Sequence, residues 1–194
     1  MIVGITGGMG CGKSAAARLF ERHGFQRIDS DALIREHVLT LAAVVAALHG
    51  RYGGTVLAAD GTVDRARLAQ RVFADDGERL WLEALTHPPL LARWRELLAA
   101  APTGAWVIEV PLLFEKELEN WFDFTICVAC APAQQLARLE QRGLPHALAE
   151  QRISKQLPLA RKIELADFVL WNDGNVAFLQ DQVDKLIPAL LVAS

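Results

Sequence analysis

Eight residues near the N-terminus constrain the fold of this chain more than any other feature. The segment Gly7-Gly8-Met9-Gly10-Cys11-Gly12-Lys13-Ser14 follows an apolar run, Ile2 to Thr6, and precedes an amphipathic stretch. The spacing G-x-x-x-x-G-K-[ST] between a strand and a helix is typical of a phosphate-binding loop, or P-loop. Its glycines let consecutive N–H groups turn toward phosphate oxygens at the start of a helix. The sequence therefore predicts a strand, this loop and a helix, in that order.

Two side chains of the loop have expected tasks in binding a nucleoside triphosphate. Lys13 is placed to reach the outer phosphates, and Ser14 to ligate Mg²⁺. ATP and Mg²⁺ are therefore the expected ligands. Cys11 is interpreted as a small residue tolerated in the loop, not as a nucleophile.

The rest of the chain predicts an α/β fold with a parallel sheet. Short apolar runs alternate with longer amphipathic segments, a pattern typical of a doubly wound sheet with helices on both faces. The predicted strands are Ile2–Thr6, Phe25–Asp29, Trp106–Val110, Phe124–Ala129 and Phe168–Trp171. Gly24 is predicted to end the first helix as a left-handed cap. Residues 1–194 are taken as a single domain, with a helical insertion at about 32–102 suited to a substrate lid.

Composition excludes several other classes of protein. The net charge of -3 and pI of about 6.0 argue against a nucleic-acid partner. No apolar run reaches the roughly 18 residues needed to span a bilayer, so no membrane partner is expected. Three cysteines do not suit a disulfide framework and favour a reducing compartment. We expect a cytoplasmic enzyme.

Carboxylates follow the second and third predicted strands. Asp29 and Asp31 come at the end of the second, where a carboxylate can orient an attacking hydroxyl and accept its proton. Capping of the helix that begins near Ala32 is the alternative for Asp29 and Asp31. Glu109 ends the third strand, where it would either support the water shell of a magnesium ion or be a solvated strand end.

Two arginines are candidates for stabilising a migrating phosphoryl group. Arg138 and Arg142 lie four apart on a helix predicted after Pro132, so they would share a face, with Arg142 assigned to the transition state. Surface ion pairing is the alternative for both. Most of the basic residues that follow, up to Lys162, are expected to be solvated, with one or two of them contacting phosphate.

A histidine and a polar turn complete the candidates. His87 precedes Pro88-Pro89, which is expected to stop a helix, and would either reach a substrate or be structural. Asn172 and Gly174 lie in an Asn-Asp-Gly turn after the last strand, which has an ordinary structural interpretation as well.

Several of these segments together resemble the dephospho-coenzyme A kinases. The chain carries GGMGCGKS, DSDA, RARLAQRVF, HP, PLLFE and ADFVLWNDG in the order seen in that family. The resemblance spans nearly the whole chain and implies a P-loop kinase fold with a five-stranded parallel core, a helical substrate-binding region and a lid at about 143–162. It also implies that ATP phosphorylates the ribose 3′-hydroxyl of dephospho-coenzyme A, the final step of coenzyme A synthesis. The sequence leaves a monomer or a small homo-oligomer open.

The resemblance assigns roles residue by residue. Asp31 takes the position of the proposed base, with Lys13 and Arg142 also catalytic, and Ser14 holds the metal. The implied ATP-binding residues are Gly8, Gly10, Cys11, Gly12, Lys13, Ser14, Ala15, Arg138, Asn172 and Gly174, with Asn172 and Gly174 near the adenine. The implied substrate-binding residues are Asp29, Asp31, His87, Pro111, Leu112, Leu113 and Glu115. The chain departs from common family wording at Ala15, Glu109 and Gly143, and the role of Glu109 is left unassigned.

Two other functions remain open from the sequence. Another P-loop small-molecule kinase, such as a nucleoside monophosphate or shikimate kinase, would share the phosphate loop but use a different acceptor. A nucleotide-gated switch would bind GTP or ATP without an acceptor. The switch is disfavoured because the chain has Trp171-Asn172-Asp173-Gly174 where a guanine-specific N-K-x-D stretch would be expected.

Overall fold

The five apolar runs form one all-parallel sheet in the computed structural model, which describes residues 1–193. The strands are β1 (Ile2–Gly7), β2 (Gln26–Asp29), β3 (Trp106–Glu109), β4 (Phe124–Ala129) and β5 (Phe168–Trp171), in the spatial order β2-β3-β1-β4-β5. Each agrees with its predicted strand to within one residue at either end. The central strand, β1, is paired on both sides, which explains why its side chains from Val3 onward are buried.

The chain divides into two compact units. The first joins Met1–Asp29 to the chain from Thr103 onward, and it contains the sheet. Its helices are α1 (Lys13–Arg22), α6 (Pro132–Gln141), α7 (His146–Ser154), α8 (Leu159–Leu165) and α9 (Val176–Ala193). Short 3-10 turns at Phe114–Lys116 and Glu119–Trp121 lie between β3 and β4.

The second unit is Ser30–Pro102. It is helical, with α2 (Ser30–Glu36), α3 (Ala42–Tyr52), α4 (Arg65–Ala74) and α5 (Asp76–Ala100), and 3-10 turns at Val38–Thr40 and Gly53–Val56. Asp64 and Asp75 cap α4 and α5 by accepting hydrogen bonds from N–H groups of the first turn.

Apolar burial explains the packing of the first unit. Residues from β1, α1, β4 and α9 share one core, in which Ile5, Phe20, Ile126 and Val183 are fully buried. Glycine and polar residues follow the carboxyl ends of the strands, and ligands of doubly wound sheets bind at these ends.

Two helices of the second unit have the length and hydropathy of a membrane span only when they are taken together. Within residues 1–193, no single helix is both long and apolar enough to cross a bilayer. The bent pair Ser30–Thr40 and Ala42–Val56, which meet at 80°, meets the length and hydropathy requirements jointly.

Candidate active site

The loop Gly7–Ser14 leaves the carboxyl end of the central strand and runs directly into α1. Gly12 is the N-cap of α1 and has φ of 98°, a left-handed conformation that strains any residue with a side chain. A Cβ atom there would also come within 2.2 Å of Asn172 Nδ2. Gly12 has no side chain with which to cap the helix start. The loop therefore offers a helix N-terminus to an anion.

Lys13 folds its side chain over the start of the loop. Its Nζ donates to the carbonyl oxygens of Gly7 and Gly8, both at 3.1 Å. Ser14 and Ala15 follow in the first turn of α1, and all three side chains are half-buried. The arrangement places an ammonium and a hydroxyl at the mouth of the loop, where a P-loop needs them.

Three side-chain amides hold the backbone of the loop. Gln135 Nε2 donates to Met9 O at 2.9 Å, and Asn172 Nδ2 donates to Cys11 O at 2.8 Å. Gln156 Oε1 accepts from the Met9 N–H at 3.2 Å. Gln135 and Asn172 are buried, and Gln156 lies between α7 and α8. The loop is thus fixed by residues from three distant parts of the chain.

The thiol of Cys11, in the loop, contacts the thiol of Cys130. Cys130 donates a hydrogen bond to Cys11, with the sulfur atoms 3.4 Å apart. That bond, helped by the charge of Lys13 and opposed by burial, lowers the pKa of Cys11. The same bond, together with burial, raises the pKa of Cys130. Burial raises the pKa of Cys127 to about 12. All three cysteines are free and buried, as expected for packing residues.

The carboxylates of β2 and β3 lie at the same edge of the sheet. Asp29 is the last residue of β2 and pairs in register with Glu109 of β3. Glu109 is only 5% exposed and its Oε1 accepts from Arg27 Nη1 at 2.7 Å. The solvated strand end allowed for Glu109 is therefore wrong, since its carboxylate is buried against a guanidinium. Asp31 is an exposed residue in the first turn of α2, which begins at Ser30, two residues earlier than expected.

The segment after β3 is fixed by a buried lysine. Lys162 of α8 has no exposed surface, and its Nζ donates to Pro111 O at 2.7 Å and pairs with Glu115 Oε1 at 2.7 Å. Glu115 Oε1 also accepts from the Leu157 N–H at 3.0 Å. Leu113 is fully buried, while Leu112 is half-buried. Lys162 is thus an exception to the solvation expected for most of these basic residues, because the carbonyl and the carboxylate replace its water.

Arg138 and Arg142 do not share a helix. Helix α6 ends at Gln141, and Arg142 is its C-cap, exposed in the turn. Gly143 follows with φ of 80°; its N–H bonds to Glu140 O and the Leu144 N–H to Leu139 O, a Schellman motif that stops the helix. Arg138 Nη2 donates to the main-chain oxygen of Asn172 at 2.7 Å. Arg142 therefore lies just beyond the end of the helix on which both arginines were predicted.

His87 lies inside a continuous helix. The two prolines after it were expected to stop a helix, but α5 runs from Asp76 to Ala100 through Pro88 and Pro89. Each proline removes one main-chain hydrogen bond, a cost that tertiary packing can offset. Here Thr86, Leu90 and Trp94 are buried on either side. His87 itself is half-buried.

The turn after β5 is tied to the start of α6. Asp173 Oδ1 accepts from the Ala131 N–H at 2.6 Å, and Gly174 is exposed beside Phe178. Asp167, at the other end of β5, accepts from both the N–H and the hydroxyl of Thr125. The two aspartates of the ADFVLWNDG segment thus make structural bonds to neighbouring elements.

Sequence reasoning missed Gln135, Gln156 and the buried position of Lys162. Gln135 lies four residues before Leu139, and both form the buried face of α6. A glutamine at a core position of an amphipathic helix is a detectable signal, since a buried amide needs a partner. Gln156 carries no such signal, because its partner is a main-chain group 147 residues away.

In the part of the chain that the structure describes, no group of three or more His, Cys, Asp or Glu side chains is placed to hold a metal ion. Mg²⁺ commonly uses few protein ligands, keeping several waters and binding substrate phosphates. The hydroxyl of Ser14 in the first turn of α1 fits that role.

The parallel sheet, its strand order and the glycine loop between β1 and α1 define a P-loop kinase. Shikimate kinase from Acinetobacter baumannii shares the fold, with a TM-score of 0.53 and 16% identity over 100% of this chain and 94% of that one. The TT1252 protein of Thermus thermophilus aligns with a TM-score of 0.83 and 31% identity, covering 98% of this chain and 97% of that one. Dephospho-CoA kinase from Campylobacter jejuni aligns with a TM-score of 0.71 and 24% identity, covering 97% and 96%.

Sequence comparison identifies the family. The model of the dephospho-CoA kinase family matches residues 1–177. Dephospho-CoA kinase of Thermosynechococcus vestitus is 43% identical over 190 residues, which cover 97% of this chain and 94% of that protein. The enzyme of Synechococcus elongatus is 40% identical over 194 residues, covering 98% and 93%. The chain belongs to the dephospho-CoA kinase family.

Proposed function

We propose that this chain transfers the γ-phosphoryl group of ATP to the ribose 3′-hydroxyl of dephospho-coenzyme A. The products are coenzyme A and ADP, and the reaction is the last step of coenzyme A biosynthesis. The observation that carries the proposal is the family match over residues 1–177. The glycine loop supports the donor half, because its geometry suits the phosphates of a nucleotide.

In this proposal the donor is bound by the loop and by the residues around it. The ATP-binding set remains the one expected from the sequence: Gly8, Gly10, Cys11, Gly12, Lys13, Ser14, Ala15, Arg138, Asn172 and Gly174. Lys13 offsets the charge of the outer phosphates, which grows on the leaving oxygen as the bond to the γ-phosphorus breaks. Mg²⁺ supplies further charge neutralisation when bound, and Ser14 is the residue that would hold it.

The proposed acceptor chemistry rests on Asp31. Its carboxylate takes the proton of the 3′-hydroxyl as the oxygen bonds to the γ-phosphorus, and ADP leaves. Arg142 stabilises the migrating group. The acceptor is bound by Asp29, His87, Pro111, Leu112, Leu113 and Glu115. Glu115 and Leu113 act by shaping the segment after β3, since Glu115 is ion-paired and Leu113 is buried. A cytoplasmic location and a monomer or small homo-oligomer go with the proposal.

The direct test supplies purified protein with ATP, Mg²⁺ and a panel of acceptors. The expected result is ADP release with dephospho-coenzyme A and a product heavier by one phosphate, detected by mass spectrometry. Shikimate and nucleoside monophosphates should give background rates. Turnover of one of these acceptors without turnover of dephospho-coenzyme A would reject the proposed substrate.

Two variants separate donor binding from proton transfer. Asp31→Asn should lower kcat by about 10²- to 10⁴-fold, the usual contribution of a general base, and leave ATP binding nearly intact. Lys13→Ala should weaken ATP binding itself, which calorimetry measures without any acceptor. Arg18→Ala, an exposed change on α1, is the matched control and should alter neither. Near-normal turnover of Asp31→Asn would remove Asp31 from the role of base.

A further inference from the structure

Two buried amides form hydrogen bonds to carbonyl groups of the phosphate loop and fix the directions of these groups. Gln135, 4% exposed on α6, donates to Met9 O, and Asn172, 8% exposed after β5, donates to Cys11 O. Both amides approach the loop closely at two of its glycines. A Cβ on Gly8 would lie 2.4 Å from Gln135 Nε2, and one on Gly12 would lie 2.2 Å from Asn172 Nδ2.

Because the peptide bond is planar, these contacts also determine the directions of two N–H groups. Every peptide bond that the structure describes is trans. In a trans peptide the carbonyl of one residue and the N–H of the next point in opposite directions. Because Gln135 holds Met9 O, the Gly10 N–H points away from Gln135. By the same reasoning, the Gly12 N–H points away from Asn172.

These two N–H groups differ from their neighbours in the loop. The Cys11 N–H bonds to Gly8 O, and the Met9 N–H bonds to Gln156. Neither the Gly10 nor the Gly12 N–H has a hydrogen-bond partner among residues 1–193. The loop therefore keeps alternate N–H groups for a ligand, and the two amides determine where those groups point.

We propose that Gln135 and Asn172 are positioning residues of the donor site. They orient the Met9–Gly10 and Cys11–Gly12 peptide planes so that the Gly10 and Gly12 N–H groups face the phosphate chain. Asn172 acts on the loop rather than on the adenine edge. A neutral amide suits this task because it donates to a carbonyl without placing a competing charge beside the phosphates. The inference rests on the proposed function, since it concerns the ATP site of that reaction.

The test separates phosphate binding from the rest of the nucleotide. Gln135→Met removes the donor while keeping the length of the side chain. The expected result is a rise of about ten- to a hundredfold in the dissociation constant of inorganic tripolyphosphate, with that of adenosine unchanged. Isothermal calorimetry measures both without an acceptor, so the result does not depend on dephospho-coenzyme A being the substrate. In assays with ATP, kcat/KM should fall by a similar factor and the KM of the acceptor should stay constant.

Matched variants keep the inference falsifiable. Gln134→Met alters the adjacent glutamine, whose Nε2 lies 3.5 Å from Asp173 O, so both ligands should bind as before. Asn172→Asp should weaken tripolyphosphate alone, whereas a direct contact with adenine would weaken adenosine as well. If Gln135→Met does not fold, Gln135→Ala carries the same expectation.

Two outcomes would overturn the inference. One is unchanged tripolyphosphate affinity in a folded Gln135→Met protein. The other is an equal loss of affinity for tripolyphosphate and adenosine together with a lower Tm, because that pattern marks a general loss of structure.

Discussion

Lys162 has no exposed side-chain surface, and its ammonium lies between two oxygen atoms of the segment after β3. A buried charge is costly to desolvate, so it persists only when its partners are well placed. Here Pro111 O and Glu115 Oε1 are both 2.7 Å away. The lysine thereby joins α8 to a segment that the proposed function assigns to the acceptor.

Removing this lysine should destabilise the protein strongly. Lys162→Met leaves the Glu115 carboxylate without its cation, and the expected loss is about 3 to 5 kcal/mol in the free energy of unfolding, measured by urea denaturation. Adding Glu115→Gln removes the isolated charge and should recover much of that loss. The neighbouring change Arg161→Met breaks an exposed pair with Glu164 and should cost about 0.5 kcal/mol or less. An equal cost for Lys162→Met and Arg161→Met would contradict the buried ion pair.

Single residues also mark the limit of prediction from sequence. The tasks of Lys13 and Ser14 could be inferred because the loop pattern is local. The burial of Lys162 and Glu109 could not, since their partners lie 51 and 82 residues away along the chain. A lysine or a glutamate is usually exposed unless it is paired, and the sequence does not reveal the pair.

At the scale of elements, glycine caps explain one helix end that was predicted and one that was not. Gly24 was predicted to cap α1, and the bonds from Gly24 N to Glu21 O and from Phe25 N to Phe20 O confirm a Schellman motif there. Gly143 ends α6 in the same way, but it was considered only as a departure from the family. That cap is why Arg142 lies in a turn. The error at Pro88 has a different cause, because the buried face of α5 offsets the lost main-chain hydrogen bonds.

The free energy of unfolding should depend on pH because of a histidine at the junction of α6 and α7. His146 begins α7 and lies 2.5 Å from Glu140 Oε1, and this hydrogen bond, with a smaller effect of Glu150, raises the pKa of His146. A raised folded-state pKa stabilises the protein below the ordinary histidine value of about 6.5. That contribution is lost as the pH rises through the folded-state pKa.

Replacing the carboxylate tests this linkage. Glu140→Gln should lower the pKa of His146 toward its ordinary value, as followed by NMR titration of the imidazole. Its effect on the free energy of unfolding should be greatest at about pH 5 to 6 and should vanish in alkaline solution. Glu150→Gln is the matched comparison and should shift the pKa less. Equal pKa values in Glu140→Gln and the unaltered protein would exclude the pairing.

At the scale of the whole molecule, the five strands and the position of the loop were predictable because their signals are repeated along the chain, whereas the order of the strands was not. Five apolar runs, each followed by polar or glycine residues, mark the strands and the edge where ligands bind. The contacts that shape the loop were not predictable, because Gln135, Gln156 and Asn172 meet it only after the sheet has formed. Sequence patterns therefore located the donor site, while long-range packing determines its geometry.

Binding of ATP should stabilise the unit that contains the sheet, because the P-loop belongs to it. A ligand at 100 times its dissociation constant adds about 2.7 kcal/mol to the free energy of unfolding. For a chain of this size that corresponds to a rise of roughly 5 to 10 °C in Tm, which scanning calorimetry with ATP and Mg²⁺ would detect. Lys13→Ala should lose most of the rise, whereas Arg18→Ala should keep it. A rise of the same size in Lys13→Ala would mean that the stabilising nucleotide binds away from the loop, since Lys13 is the ammonium nearest to its bound phosphates in the proposed site.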